Sequence, residues 1–126
     1  MNWRKILLVL AGLEICGVGL VYLIAPQVMA ASNGMELRGV NDWHATRAAY
    51  GGVFVAFGAL FGMGAFAAAL RRPALVAVAT FMGGFALGRI ASIVVDGLPA
   101  PAFLGALASE IVFGAGALVA LSKGEA

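Results

Sequence analysis

The chain has 126 residues, of which 63% are hydrophobic and only 11% charged, with a mean hydropathy of +1.02. Soluble domains run near half apolar and a quarter charged, so this composition excludes a soluble globular domain, a disordered tail and a nucleic-acid binder. Eight basic and six acidic residues leave a net charge of +2, and the bases fall singly or in pairs, without a stripe that could follow a phosphate backbone.

One membrane crossing takes about 20 apolar residues. The length therefore allows one domain, residues 1–126, with at most four crossing helices. The first predicted span is 6–25. Arg4 and Lys5 precede it and Val28-Met29-Ala30 could serve as a small-residue cleavage site, but the apolar run outlasts a signal-peptide core and carries Glu14 in its middle. Ile15 before Cys16 is also bulky where lipoprotein processing needs a small residue, so the segment is read as a retained first helix. Pro26 ends it. An outer loop, 26–47, is the one long connection. Inside it Leu37, Val40 and Trp43 recur at helical spacing between Glu36, Arg38, Asn41 and Asp42. A short surface helix with Trp43 at headgroup level and an irregular polar loop both fit that spacing. The remaining spans are 48–70, 74–95 and 102–121, joined by turns at Arg71-Arg72-Pro73 and at Asp96-Gly97-Leu98-Pro99-Ala100-Pro101.

Charge sets the orientation. With the N-terminus inside, Arg4, Lys5, Arg71, Arg72 and Lys123 are cytoplasmic, and only Arg38 and Arg47 lie outside. This bias satisfies the positive-inside rule. The expected fold is an all-α integral membrane four-helix bundle with both termini cytoplasmic. Gly58 and Gly62, Gly84 and Gly88, and Gly114 are the expected helix-packing positions, because small residues let helices approach where lipid gives no hydrophobic drive between them.

Three ionisable residues fall inside the spans: Glu14, Arg89 and Glu110. A central charge costs roughly 2.5–3.5 kcal/mol on insertion scales, so such groups face the bundle interior and seek partners. At helical rise they lie about 16, 10 and 12 Å from the outer ends of their helices. Side chains lean toward the N-terminus of their own helix, which brings Arg89 and Glu110 toward one level. Ala106, Gly114 and Ala117 form a small-residue stripe around Glu110. Ser92 and Asp96 share a face with Arg89, and Arg47 and Tyr50 approach from outside. The expected site is therefore a polar cluster of Glu14, Arg47, Tyr50, Arg89, Ser92, Asp96 and Glu110 in the outer half. It can serve as a staple fixing helix register, or as a site for a polar headgroup, a proton or a quinone-like ring.

The motif Arg47-x-x-Tyr50-Gly51-Gly52, Gly88-Arg89 with Ser92, then Asp96-Gly97 and Pro99, and a glutamate in the fourth span resemble a bacterial four-helix family, domain of unknown function 4345, with DoxX-like relatives. The resemblance covers nearly the whole chain and implies that Glu14, Arg47, Tyr50, Gly52, Arg89, Asp96 and Glu110 are the family's polar positions. It implies a fold and no activity, although some DoxX-like proteins are linked to quinol oxidation or redox complexes.

Enzyme chemistry has little support. There is no nucleophile with a positioned base and no phosphate-cradling loop, and one cysteine (Cys16) and one histidine (His44) supply no metal-ligand set. No catalytic residue, metal or cofactor is predicted, and a quinone is the one cofactor that would suit the cluster. The first functional expectation is a non-enzymatic accessory or assembly subunit of a larger complex in the bacterial inner membrane. The alternative is a binder of a quinone- or lipid-like ligand at the Arg/Glu cluster, and a transporter or ion pathway built from an oligomer ranks last. Expected partners are membrane lipid and another membrane protein or a second copy, with no nucleic acid.

Overall fold

A computed structural model of the chain describes residues 1–124. It contains five helices: α1 (Trp3–Ile24), α2 (Pro26–Ser32), α3 (Val40–Phe66), α4 (Ala68–Asp96) and α5 (Pro101–Ser122). No strand occurs among the described residues. Helices α1, α3, α4 and α5 have 22, 27, 29 and 22 residues and are apolar enough to cross a membrane. At helical rise they reach about 33 to 44 Å, against a hydrocarbon core of about 30 Å. The chain is a small multi-pass membrane protein.

Local chemistry sets most of the helix ends. The Asn2 side chain accepts from the Lys5 N–H at 3.0 Å and caps α1. Ala25 leaves the helical region, and Pro26, which lacks an N–H, opens α2 at a position where none is needed. At the far end of α4, Gly97 takes φ 95°, a left-handed conformation suited to glycine, and Pro101 opens α5.

Two boundaries differ from those expected. The connection 26–47 is not one loop, because α2 occupies its first part and α3 already begins at Val40. The backbone of α3 passes through a π-turn at Arg47–Gly52 while staying helical on both sides, so the surface helix and the second span are one element. The turn before α4 falls at Ala67 (φ −100°, ψ 111°), and Arg71-Arg72-Pro73 lies inside α4. Pro73 sits early enough in α4 that its missing N–H deprives only one carbonyl near the helix start. Arg71 Nη2 reaches back to the Ala65 carbonyl at 3.3 Å, near the end of α3.

Each crossing helix packs mainly on its sequence neighbour, α1 on α3, α3 on α4 and α4 on α5, while α1 meets α5 only sparsely. Fully buried Leu8, Ala11, Phe61, Ala65, Ala74, Val78 and Ala117 fill the half of the bundle that carries the termini. The other half, beneath the loops, is less tightly filled.

Glycine makes the α1–α3 seam. A Cβ on Gly58 would stand 2.7 Å from the Cys16 nitrogen, and one on Gly12 would stand 2.9 Å from the Gly58 carbonyl and 3.1 Å from the Gly62 nitrogen. Gly114 meets Gly83 and Met82 at ordinary contact distance. A Cβ on Gly62, Gly84 or Gly88 would meet nothing within 4 Å; Gly62 still lends its backbone to the seam against Gly12, whereas Gly84 and Gly88 are a correction to the expected packing set. The buried stripe of α4 runs through Ala74, Val78, Met82 and Ala86. Each of these two glycines follows a stripe residue by two positions, about 200° round the helix, so the pair faces away from the core.

Candidate functional site

The strongest polar contact in the bundle joins α4 to α5 in the loop half. Arg89 Nε donates to both carboxylate oxygens of Glu110, at 2.9 Å each. The Glu110 side chain is 8% exposed and that of Arg89 23%. Small neighbours on α5 (Ala106, Gly114) leave room for the pair. The Arg89 guanidinium also lies over two rings, 5.0 Å from the centre of Phe103 and 5.6 Å from Phe85, a cation–π arrangement. Only Nε is used: the terminal nitrogens of Arg89 make no hydrogen bond among the described residues.

These groups line a cavity of about 350 Å³ to which every helix, or the turn that follows it, contributes. From α1 come Glu14, Val18 and Tyr22; α3 supplies Tyr50 and Phe54, α4 supplies Phe85 and Arg89, and α5 supplies Phe103, Ser109 and Glu110. Asn33, just after α2, donates to the Tyr22 hydroxyl at 3.2 Å and ties that helix down over the cavity. The aromatic walls touch one another, with ring centres 5.3 Å apart for Tyr22 and Tyr50, 5.8 Å for Tyr50 and Phe54, and 5.5 Å for Phe54 and Phe85. Glu14 carries the unmet group. Its Oε2 is buried and has no hydrogen-bond partner among the described residues.

A second, open groove of about 510 Å³ runs along the outside of α4 over Gly84, Gly88, Ser92 and Gly97. It shares Tyr50, Phe85, Arg89 and Phe103 with the cavity. Those four side chains form the wall between the two spaces, and the absent Cβ atoms of Gly84 and Gly88 help to open the outer one.

Of the residues expected to cluster, Arg89 and Glu110 are paired, and Glu14 and Tyr50 line the same cavity. Ser92 Oγ donates to Asp96 Oδ2 at 3.1 Å, an exposed contact within α4, and Ser92 borders the outer groove. Arg47 stands apart. Its Nε donates to the Leu23 carbonyl at 3.0 Å and its guanidinium lies over Trp43 at 5.6 Å. The reason is local: α1 stops at Ile24, which leaves the Leu23 carbonyl without its intrahelical partner, and Arg47 fills that vacancy. The cavity group thus holds two carboxyls and one guanidinium, not a balanced four. Tyr22, Asn33, Phe103 and Ser109 were missed by sequence reasoning. Tyr22 was legible, since Glu14, Val18 and Tyr22 step by four along one face of α1; Asn33 was not, because α2 itself was unforeseen.

The model of a family described as a domain of unknown function, DUF4345, matches residues 3–121. The chain belongs to this family. No curated protein and no solved structure matches it. In this DUF4345 chain the match takes in all four crossing helices, and with them the cavity and both of its polar walls. Among the described residues no three His, Cys, Asp or Glu side chains converge as metal ligands. The cavity instead offers hydrogen-bond donors on Arg89, an unmet carboxyl on Glu14, and flat aromatic walls.

Proposed function

We propose that the loop-half cavity binds an amphipathic small molecule with a flat, oxygen-bearing head, of the quinone or quinol type. A head oxygen accepts from the terminal N–H groups of Arg89, a hydroxyl meets Glu14, and the ring lies among Tyr22, Tyr50, Phe54 and Phe103. An apolar tail passes over Gly84 and Gly88 into lipid. The observation that carries this reading is the buried, unpartnered Oε2 of Glu14 in the same cavity as the spare donors of Arg89. Leaving a buried polar group unmet costs about 1–3 kcal/mol, and a ligand hydroxyl relieves that cost. A mostly apolar pocket with a few convergent polar groups is the usual form of a small-molecule site. With both termini cytoplasmic, as the loop charges favour, the site lies in the outer half of the membrane. The role is binding without turnover.

The test is calorimetric titration of the full chain in lipid nanodiscs with a short-chain quinone and its quinol. Saturable one-to-one binding is expected, weakened about tenfold, or 1.4 kcal/mol, by either Arg89→Leu or Glu14→Gln. Absence of binding by the unaltered chain, or binding indifferent to both substitutions, overturns the reading.

A second reading, an accessory subunit of a larger membrane complex, is favoured by a separate feature. An apolar groove of about 680 Å³ lies between α1 and α3, bordered by Leu13, Gly62, Met63 and Phe66, and would accept a partner's helix. Native mass spectrometry of protein extracted gently from its own membrane tests it. A stoichiometric larger assembly is expected, and a bare chain counts against it.

A further inference from the structure

The opposite end of the bundle, where the chain termini lie, holds three arginines around one hollow. Arg4 of α1 and Arg71 and Arg72 of α4 border a space of about 40 Å³ with an apolar floor of Leu75, Ala120 and Leu121. That is room for a small oxoanion group or a few waters. Arg4 is only 7% exposed, and its Nε is buried with no hydrogen-bond partner among the described residues; the same holds for Nε of Arg71. Neither these two nor Arg72 forms an ion pair with any described acid. The first residue of α4, Ala68, borders the same space, and α4 has no side-chain cap. Its unpaired N–H groups add to the positive field. Converging cations repel one another, and buried N–H groups require acceptors, so the hollow as built calls for an anion.

We propose that this hollow binds the phosphate of an anionic phospholipid headgroup. Guanidinium groups match phosphate oxygens with paired N–H donors, and basic pockets between crossing helices are suited to anionic headgroups. Two observations favour a lipid over a soluble phosphate. The hollow lies at the end of helices that cross the membrane, and Trp3, 44% exposed, stands beside Arg4 with its ring 5.6 Å from the guanidinium, as an interfacial tryptophan would. The apolar floor suits the glycerol and acyl portion that follows the phosphate. The site is independent of the ligand cavity in the other half.

The experiment is native mass spectrometry of the full chain in detergent with added phosphatidylglycerol or phosphatidylcholine. One phosphatidylglycerol is expected to stay bound under conditions that strip phosphatidylcholine. Arg4→Gln is expected to reduce retention at least tenfold, whereas Arg38→Gln, the same charge change on the exposed loop, leaves it unaltered. Arg72→Gln, at an exposed position, is expected to weaken retention severalfold and serves if Arg4→Gln does not fold. Equal effects of Arg4→Gln, Arg72→Gln and Arg38→Gln overturn the proposal. So does failure of the unaltered chain to retain the lipid. Displacement of phosphatidylglycerol by millimolar inorganic phosphate assigns the site to the soluble ion and overturns the lipid source; retention against phosphate supports it.

Discussion

The two ends of the bundle use arginine in opposite ways. In the loop half, Arg89 is matched within the protein by Glu110 and covered by two rings, beside a cavity. At the terminal end, Arg4, Arg71 and Arg72 surround a hollow with no described acid in reach. The difference teaches that a cation's role in a membrane protein follows from who supplies its counter-charge. Where the protein supplies it, the pair joins two helices and leaves the terminal donors of the guanidinium unused. Where no described acid supplies it, the proposed source of the anion is the lipid.

The largest effect expected is from Glu110→Leu, which turns the loop half into a likeness of the terminal end. It takes away the one carboxylate that Arg89 is bonded to and is expected to cost about 3 kcal/mol, read as a lowered Tm in detergent. Arg89→Leu combined with Glu110→Leu is expected to recover most of that loss, and a double variant no better than the single one contradicts the pairing account. Next comes the seam that holds α1 to α3 along both halves. Gly58→Ala drives a Cβ against the Cys16 nitrogen, and about 2 kcal/mol of destabilisation is expected. Arg72→Glu works in the reverse direction, adding an acid where the described residues of the terminal end have none. A gain of about 0.5 kcal/mol is expected in lipid-free detergent, the worth of an exposed ion pair, together with loss of bound phosphatidylglycerol; retention of the lipid would sink the comparison between the ends. The smallest effect is Gly84→Ala. With nothing near its Cβ, it is expected to stabilise the helix by up to about 0.5–1 kcal/mol, opposite in sign to Gly58→Ala although each glycine opens a pair spaced by four residues.

That last contrast shows what the sequence could and could not convey. Four apolar runs of crossing length were legible because a bilayer imposes one length on every helix. The level shared by Arg89 and Glu110 was legible because helical rise and side-chain lean are local geometry. Which glycine pair met another helix was not, because spacing along one helix says nothing of which face the neighbours cover. Arg47 was misplaced for a related reason. Its partner is the Leu23 carbonyl, a backbone atom made available only by where α1 stops. The continuity of α3 through its π-turn was hidden as well: the spacing of Val40 and Trp43 fitted a short surface helix or a loop, and neither reading joined that stretch to the second span.

The bare groove over Gly84 and Gly88 lies along a helix long and apolar enough to cross a membrane, on the face turned away from the core, where acyl chains would border it. A ligand that arrives by that route has first partitioned into the bilayer and then searches in two dimensions. On the proposed reading, such a site would sense mole fraction in lipid. The aqueous dissociation constant of such a ligand would therefore rise as lipid is added at fixed protein, while the constant expressed per lipid molecule stays unchanged.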